Sequence, residues 1–287
     1  MANEMLSLAY EQVDPKKAAR LKECATFLQF AADGQQMKLH RANFCRVRLC
    51  PMCSWRRALK TGGQMAAIVD EMNRREPMAY VLATFTIRSA PGDQLSSALD
   101  LMMKGWNRMT QRVAFKSAVL GTYRGLEVTH NVNPDSPSYD TYHPHFHALF
   151  AVKPRYFSGR YYMKQMEWQR LWQEACRLDY VPSVDVRRVK GGTGGAIAEV
   201  AKYAVKPGSL LPDDWDLTVD GVRVLDGALA GRKLVAYGGL MADVHRQLHL
   251  DDPEDGDLIG EGAGLEVEDK QLLFFAWYTG YRQYFGV

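Results

Sequence analysis

The 287-residue chain has no run of roughly 18 or more apolar residues, so nothing in it is expected to span a bilayer. Its first residues, MANEMLSLAYEQVDPKK, lack a basic start followed by an apolar stretch. That excludes a secretory signal and sets the expectation of a cytoplasmic protein with no membrane partner. No internal repeat is present, which excludes a stacked-repeat architecture. Acidic residues are missing altogether from Gly34 to Val69, where Lys38, Arg41, Arg46, Arg48, Arg56, Arg57 and Lys60 all fall. From Asp251 to Asp269 the pattern inverts, with nine acidic residues and no Lys or Arg. The net charge of +3 hides this asymmetry. A basic segment is an electrostatic footprint for nucleic acid. Cysteine is scarce, and four of the five, Cys24, Cys45, Cys50 and Cys53, fall close together while Cys176 is isolated. In a chain without a secretion signal, such clustering points to metal rather than disulfides.

What is there divides into three parts. Residues 1–65 hold the cysteines and the basic cluster, residues 76–207 alternate strand-like and helix-like segments, and residues 208–287 are mixed and contain the acidic stretch. In the middle part, Ala79–Arg88 alternates, with Ala83, Phe85 and Ile87 on one face and Thr84, Thr86 and Arg88 on the other. Gln94–Ala114 reads as a helix, Thr122–His130 and His143–Ala151 as strands, Met163–Leu178 as a helix and Ser183–Val189 as a strand. A Gly-rich stretch then leads into a last helix, Ala196–Lys206, stopped by Pro207 and Gly208. The order β-α-β-β-α-β predicts an α+β fold built on a ferredoxin-like, split βαβ sheet. Helices are expected on one face, and the other face is expected to be free.

Three constellations carry chemistry. His145 and His147 alternate with Phe146, so on a strand both imidazoles project to one face while Phe146, Ala148 and Phe150 point to the core. Two neighbouring imidazoles suit a divalent cation, and a carboxylate beside them makes a facial set with open positions. Glu127 on the preceding strand is a candidate third ligand; His143, which shares the His145 face, is the alternative. In the helix Ala196–Lys206, Ile197, Val200, Ala201, Ala204 and Val205 form an apolar stripe. Glu199, Lys202, Tyr203 and Lys206 form the opposite stripe. A phenol titrates near ~10; nearby cations favour its phenolate, which can then act as a nucleophile. Glu199, one turn away, is placed to act as a general base. The third constellation is Cys24, Cys45, Cys50 and Cys53. The last two have the two-residue spacing of a zinc knuckle; His40 is an alternative fourth ligand. Arg46, Arg48, Trp55, Arg56 and Arg57 lie beside it, and aromatic and guanidinium groups there suit nucleic-acid contact.

Together these segments resemble the plasmid rolling-circle replication initiator (Rep) family, a single-tyrosine branch of the HUH endonucleases. FCRVRLCPMCSWRRALK resembles the family's N-terminal cysteine region and VLATFTIR its first motif. YHPHFHAL resembles its two-histidine motif and AEVAKYAVKP its tyrosine motif. ALAGRKLVAYGGLM and FFAWYTGYRQYFGV are similar to its C-terminal segments. The resemblance implies an HUH fold with an N-terminal zinc-binding module and a C-terminal extension. It implies a nickase that cuts one strand at a plasmid's double-strand origin, linking Tyr203 to the 5′ phosphate and leaving a 3′ hydroxyl as primer. It further implies Mg2+ or Mn2+ as catalytic cofactor, structural Zn2+, and Glu199 as activator of water at termination. Lys202 and Lys206 would assist Tyr203. Thr84, Thr86 and Arg88, in the first motif, join Arg46, Arg48, Trp55, Arg56 and Arg57 as expected DNA contacts. Host helicase and DNA polymerase are the expected partners, and a homodimer stays open. Two other readings stand beside this one: a relaxase or transposase of the same chemistry, and a zinc-dependent DNA-binding regulator without catalysis.

Overall fold

Two helices, α1 (Ala2–Glu11) and α2 (Pro15–Lys22), open the chain. Asp14 caps α2 by accepting the Lys16 and Lys17 amides, with Pro15 at the first helical position, where its missing N–H costs nothing. The structure is a computed structural model describing residues 2–32, 37–190, 194, 214–252, 254–259 and 271–287. The predicted helix Ala196–Lys206, with Glu199, Lys202, Tyr203 and Lys206, lies outside the described residues.

The described chain continues as β1 (Phe27–Ala32), β2 (Met37–Ala42), the long helix α3 (Pro51–Arg75), β3 (Ala79–Thr86), α4 (Leu95–Gln111) and α5 (Val113–Ala118). Next come β4 (Gly121–Asn131), β5 (Thr141–Val152), α6 (Gln165–Cys176) and β6 (Val184–Arg188). The described C-terminal elements are α7 (Trp215–Leu229), β7 (Val235–Gly239), α8 (Leu240–Gln247), β8 (Gln271–Tyr278) and β9 (Gln283–Gly286). They form an α+β architecture with two sheets, ordered β6-β3-β5-β4-β7 and β2-β1-β8-β9, in which neighbouring strands run antiparallel. The four strands expected between residues 79 and 189 all form, each within two residues of its expected limits at either end. The expected helix Gln94–Ala114 instead breaks at Arg112, whose backbone is extended (ψ 142°) and separates α4 from α5.

The five-stranded sheet has two unlike faces. On one, Phe85, Phe146 and Phe150 meet Trp106 of α4, Phe115 of α5 and Trp168 and Trp172 of α6, with ring centroids 5.2–6.3 Å apart. Such edge and offset contacts add to the burial of large rings. Helices α4 and α6 approach closely at Gly105, where a Cβ would come 2.2 Å from the Cys176 sulfur.

The other face, expected to be free, is covered over half its length. Met65, Ile68, Val69 and Met72 of α3, with Met241 and Val244 of α8, cluster on Tyr80, Leu82, Tyr123 and Leu149. The physical reason is an apolar stripe at i, i+3, i+4 and i+7 in the second half of α3, in a stretch where no helix was predicted. Among the described residues, this apolar cover stops short of Thr84 of β3 and His147 of β5, which pair directly.

Candidate metal centre

The centre is a product of register. Across β4 and β5, Glu127 pairs with His145 and Gly125 faces His147. Across β3 and β5, Thr86 pairs with His145 and Thr84 with His147. Directly opposed residues share a face, so two rows cross this face of the sheet, Thr86–His145–Glu127 and Thr84–His147–Gly125. Phe146, between the histidines, is fully buried on the aromatic face. Gly125 matters here because a Cβ would come 3.0 Å from the Tyr123 hydroxyl, so a larger residue opposite His147 would crowd that ring.

Glu127, His145 and His147 offer ligand atoms that all lie within 4.8 Å of one another. Glu127 Oε2 is 3.0 Å from His147 Nε2 and 3.3 Å from His145 Nε2. The far ring nitrogens are also held. His145 Nδ1 lies 3.3 Å from the His143 carbonyl, to which it donates, and His147 Nδ1 lies 3.4 Å from Thr84 Oγ1. Partners of this kind fix the tautomer and aim the other nitrogen's lone pair at a metal. Burial alone would raise the Glu127 carboxyl, but hydrogen bonds and charge from His145 and His147 outweigh it and hold the group well below the usual carboxylate range. Two imidazoles and an ionised carboxylate fit a divalent cation. His143 is not in this group. Its Nδ1 sits 3.2 Å from Ser89 Oγ, and burial, helped by His145, pushes its imidazole below the usual range.

A second cluster lies in the N-terminal region. Cys24, Cys45, Cys50 and Cys53 are all buried, with sulfurs within 4.8 Å of one another. The separations are 3.5 Å for Cys24–Cys50, 3.7 Å for Cys24–Cys53 and 3.6 Å for Cys45–Cys53. Zn–S bonds of about 2.3 Å in a tetrahedron put sulfurs about 3.8 Å apart, so the set fits zinc. The antiparallel pair β1–β2 explains the approach, because it brings residue 24 beside residue 45; the Ala25 amide donates to the Asn43 carbonyl at 3.1 Å. Cys50 is the N-cap of α3 and Pro51 its first residue, so Cys50 and Cys53 sit where the helix dipole favours thiolates. The Cys45, Arg46 and Val47 amides donate to sulfurs of Cys24, Cys53 and Cys45 at 3.3–3.4 Å. His40, on β2, is exposed and outside the group.

Comparison with known proteins points to one family. The sequence profile described as "Replication protein" matches residues 36–285. A "Protein rep" of Bacillus amyloliquefaciens is 40% identical, covering 94% of this chain and 84% of that protein. The chain belongs to the Rep family of replication proteins. A "Protein rep" of Streptococcus pneumoniae serotype 2 is 37% identical over 84% of this chain and 74% of its own length. A "Replication protein" of Staphylococcus aureus is 34% identical over 79% of this chain and 99% of its own. No solved structure matches. Family membership makes this chain a plasmid replication initiator of the rolling-circle kind. Among the described residues, no helix is long and apolar enough to cross a membrane.

The residues expected to contact DNA are scattered. Thr84 and Thr86 lie beside the histidines. Arg88 stacks on Tyr180, its guanidinium carbon 3.9 Å from the ring centroid. Trp55 is 53% exposed on α3. The arginines around the cysteines, however, are engaged by residues 251–259. Arg46 donates to the Asp255 carbonyl at 2.9 Å, Arg56 to the Leu258 and Ile259 carbonyls at 2.8 and 2.7 Å, and Arg57 to that of Glu254 at 3.5 Å. Arg48 lies 3.3 Å from the Glu254 carboxylate, and Lys60 pairs with Asp251. The inverted charge of the two stretches was legible in the sequence; that one docks on the other was not.

Asp185 was passed over. It pairs with Thr84, so it is an exposed carboxylate on the histidine face. The alternation of SVDVRRV, with Val184 and Val186 inward, was the signal that places it there.

Proposed function

We propose that this Rep-family chain is a metal-dependent nickase of the HUH type. The observation that carries the reading is the register of β4 and β5, which sets Glu127, His145 and His147 together on one sheet face. The order β6-β3-β5-β4 supports a ferredoxin/RRM-like catalytic sheet, and we assign the reaction to residues 76–207, with residues 1–65 as a zinc-binding module and 208–287 as an extension. Glu127, His145 and His147 would hold Mg2+ or Mn2+, which would supply polarisation of the scissile phosphate. Thr84 and the His143 carbonyl hold the two imidazoles in their liganding orientation. The Tyr203 phenolate, favoured by Lys202 and Lys206, attacks phosphorus. An O–P bond forms to tyrosine, the bond to the 3′ oxygen breaks, and that oxygen leaves as the primer hydroxyl once protonated. At termination Glu199 takes a proton from water for hydrolysis of the phosphotyrosyl bond.

The test is incubation with single-stranded DNA of the cognate origin and Mg2+ or Mn2+, read on a denaturing gel. A protein–DNA adduct is expected, with mass spectrometry placing the link on Tyr203. Tyr203→Phe should bind DNA without forming an adduct, and Glu199→Ala should nick but release poorly. An adduct at the unaltered level in Tyr203→Phe would remove Tyr203 from the mechanism.

A further inference from the structure

The proposed reaction makes no use of the second sheet, β2-β1-β8-β9. Its four strands, FLQFAA, MKLHRA, QLLFFAWY and QYFG, contain no Asp or Glu. Phe27 and Phe285 pair with Ala276 from opposite sides. Phe274 and Tyr278 lie two residues before and after Ala276, so all four rings share one face. Neighbouring rings are 6.2 Å apart for Phe27–Phe274 and 5.3 Å for Tyr278–Phe285. Phe274 is 38%, Tyr278 46% and Phe285 36% exposed. Strands lie about 4.7–4.9 Å apart, so Phe27 and Phe285 stand about 9–10 Å apart across a methyl group. That leaves a shallow apolar well walled by rings. The reverse face is different: Trp277 and Tyr284 look onto a cavity bordered by α1 and Cys24.

Cations edge the same face. Arg41 pairs with Gln29, which pairs with Phe274, and Lys38 pairs with Ala31. Both are exposed, and among the described residues no carboxylate forms an ion pair with either. The contrast with Arg46, Arg48 and Lys60, which face acidic side chains or carbonyls of 251–259, is direct.

We propose that this face binds a single DNA strand, with bases stacked on Phe27, Phe274, Tyr278 and Phe285 and phosphates on Lys38 and Arg41. It rests on the reading that the protein acts on a DNA strand. Exposed rings and adjacent cations without carboxylates are the two components of a sequence-tolerant single-strand surface. Duplex bases already stack on one another and offer no free ring faces. A second copy of the chain is disfavoured, because a two-fold interface on this face would set its own cations against each other.

The test uses the full zinc-loaded chain and a fluorescent oligothymidine strand, read by anisotropy without added Mg2+ or Mn2+ and without chelator, so that binding is measured without nicking and with the cysteine cluster intact. Phe274→Ala and Phe285→Ala should each weaken binding roughly ten-fold or more, with melting temperatures checked for folding. Phe274→Leu keeps apolar bulk without a π face and should also weaken it, whereas Phe274→Trp should bind at least as tightly as the unaltered chain. Joint Lys38→Gln and Arg41→Gln should lower the slope of log affinity against log salt by about 1.4. Folded Phe274→Leu and Phe285→Ala proteins that bind as the unaltered chain does would overturn the proposal. So would a dimer, seen by light scattering, that Phe274→Ala dissolves while leaving DNA binding intact. A chain that binds oligothymidine through these rings but forms no adduct with origin DNA would uphold this surface and sink the nickase reading instead.

Discussion

The two clusters of ligating side chains differ in closure. The four cysteines are all buried, and they already supply a full tetrahedral shell with amide donors around the sulfurs. The Glu127–His145–His147 group supplies only three ligands on a sheet face, one short of a tetrahedral shell. Structural zinc sites are closed, and catalytic metal sites keep positions for water or substrate. The difference teaches that one metal would hold the fold while the other would meet the phosphate.

The comparison breaks or sharpens as follows. The largest effect is expected on removing metal from the cysteine cluster. Structural zinc contributes on the order of 10 kcal/mol to small zinc modules, so a strong chelator, or Cys53→Ser, should unfold the region around β1, β2 and the start of α3. Circular dichroism and zinc content check this; an unchanged melting curve after complete zinc loss would break the distinction. Glu127→Gln should do the opposite, leaving the melting temperature nearly unchanged while cutting nicking by at least about 100-fold, since loss of a mere outer partner already costs about 10–100-fold. A severe loss of stability in this variant would make the centre structural. Thr84→Val tests the outer partner itself, with nicking reduced about ten-fold at limiting metal and recovered at high metal. Smallest is Asp251→Asn, remote from the three-ligand centre. Its partner Lys60 is buried but Asp251 is partly exposed, so a loss of only about 1 kcal/mol is expected, with faster hydrogen exchange confined to residues 251–259.

Much of the five-stranded sheet was legible. The alternation in VLATFTIR put Thr84 and Thr86 on one face of their strand, and that in HPHFHALF put His145 and His147 on one face of theirs; the pairs Thr84–His147 and Thr86–His145 make the two faces one. The coverage of that face was not legible. Helix α3 begins in the cysteine motif and carries a basic first half, and attention to those features hid the stripe Met65–Ile68–Val69–Met72. Strand β7, which extends the sheet beside β4, is five residues with two glycines, too short and too poor in side chains for a clear strand signal. The basic cluster, expected as an open DNA surface, carries the 251–259 segment instead. Opposite charge made that contact favourable, but nothing local to either stretch specifies it.

The sequence by itself determined the family, the cysteine set and the histidine pair, because each is written in local spacing: two residues between Cys50 and Cys53, and one between His145 and His147. Tertiary structure decided which partners those residues keep. Register put Glu127, and not His143, within 4.8 Å of both imidazoles, and long-range pairing joined β1 to β8 into an aromatic face. Register and pairing depend on the packing of whole elements, and a one-residue slip would have turned every one of these side chains to the opposite face.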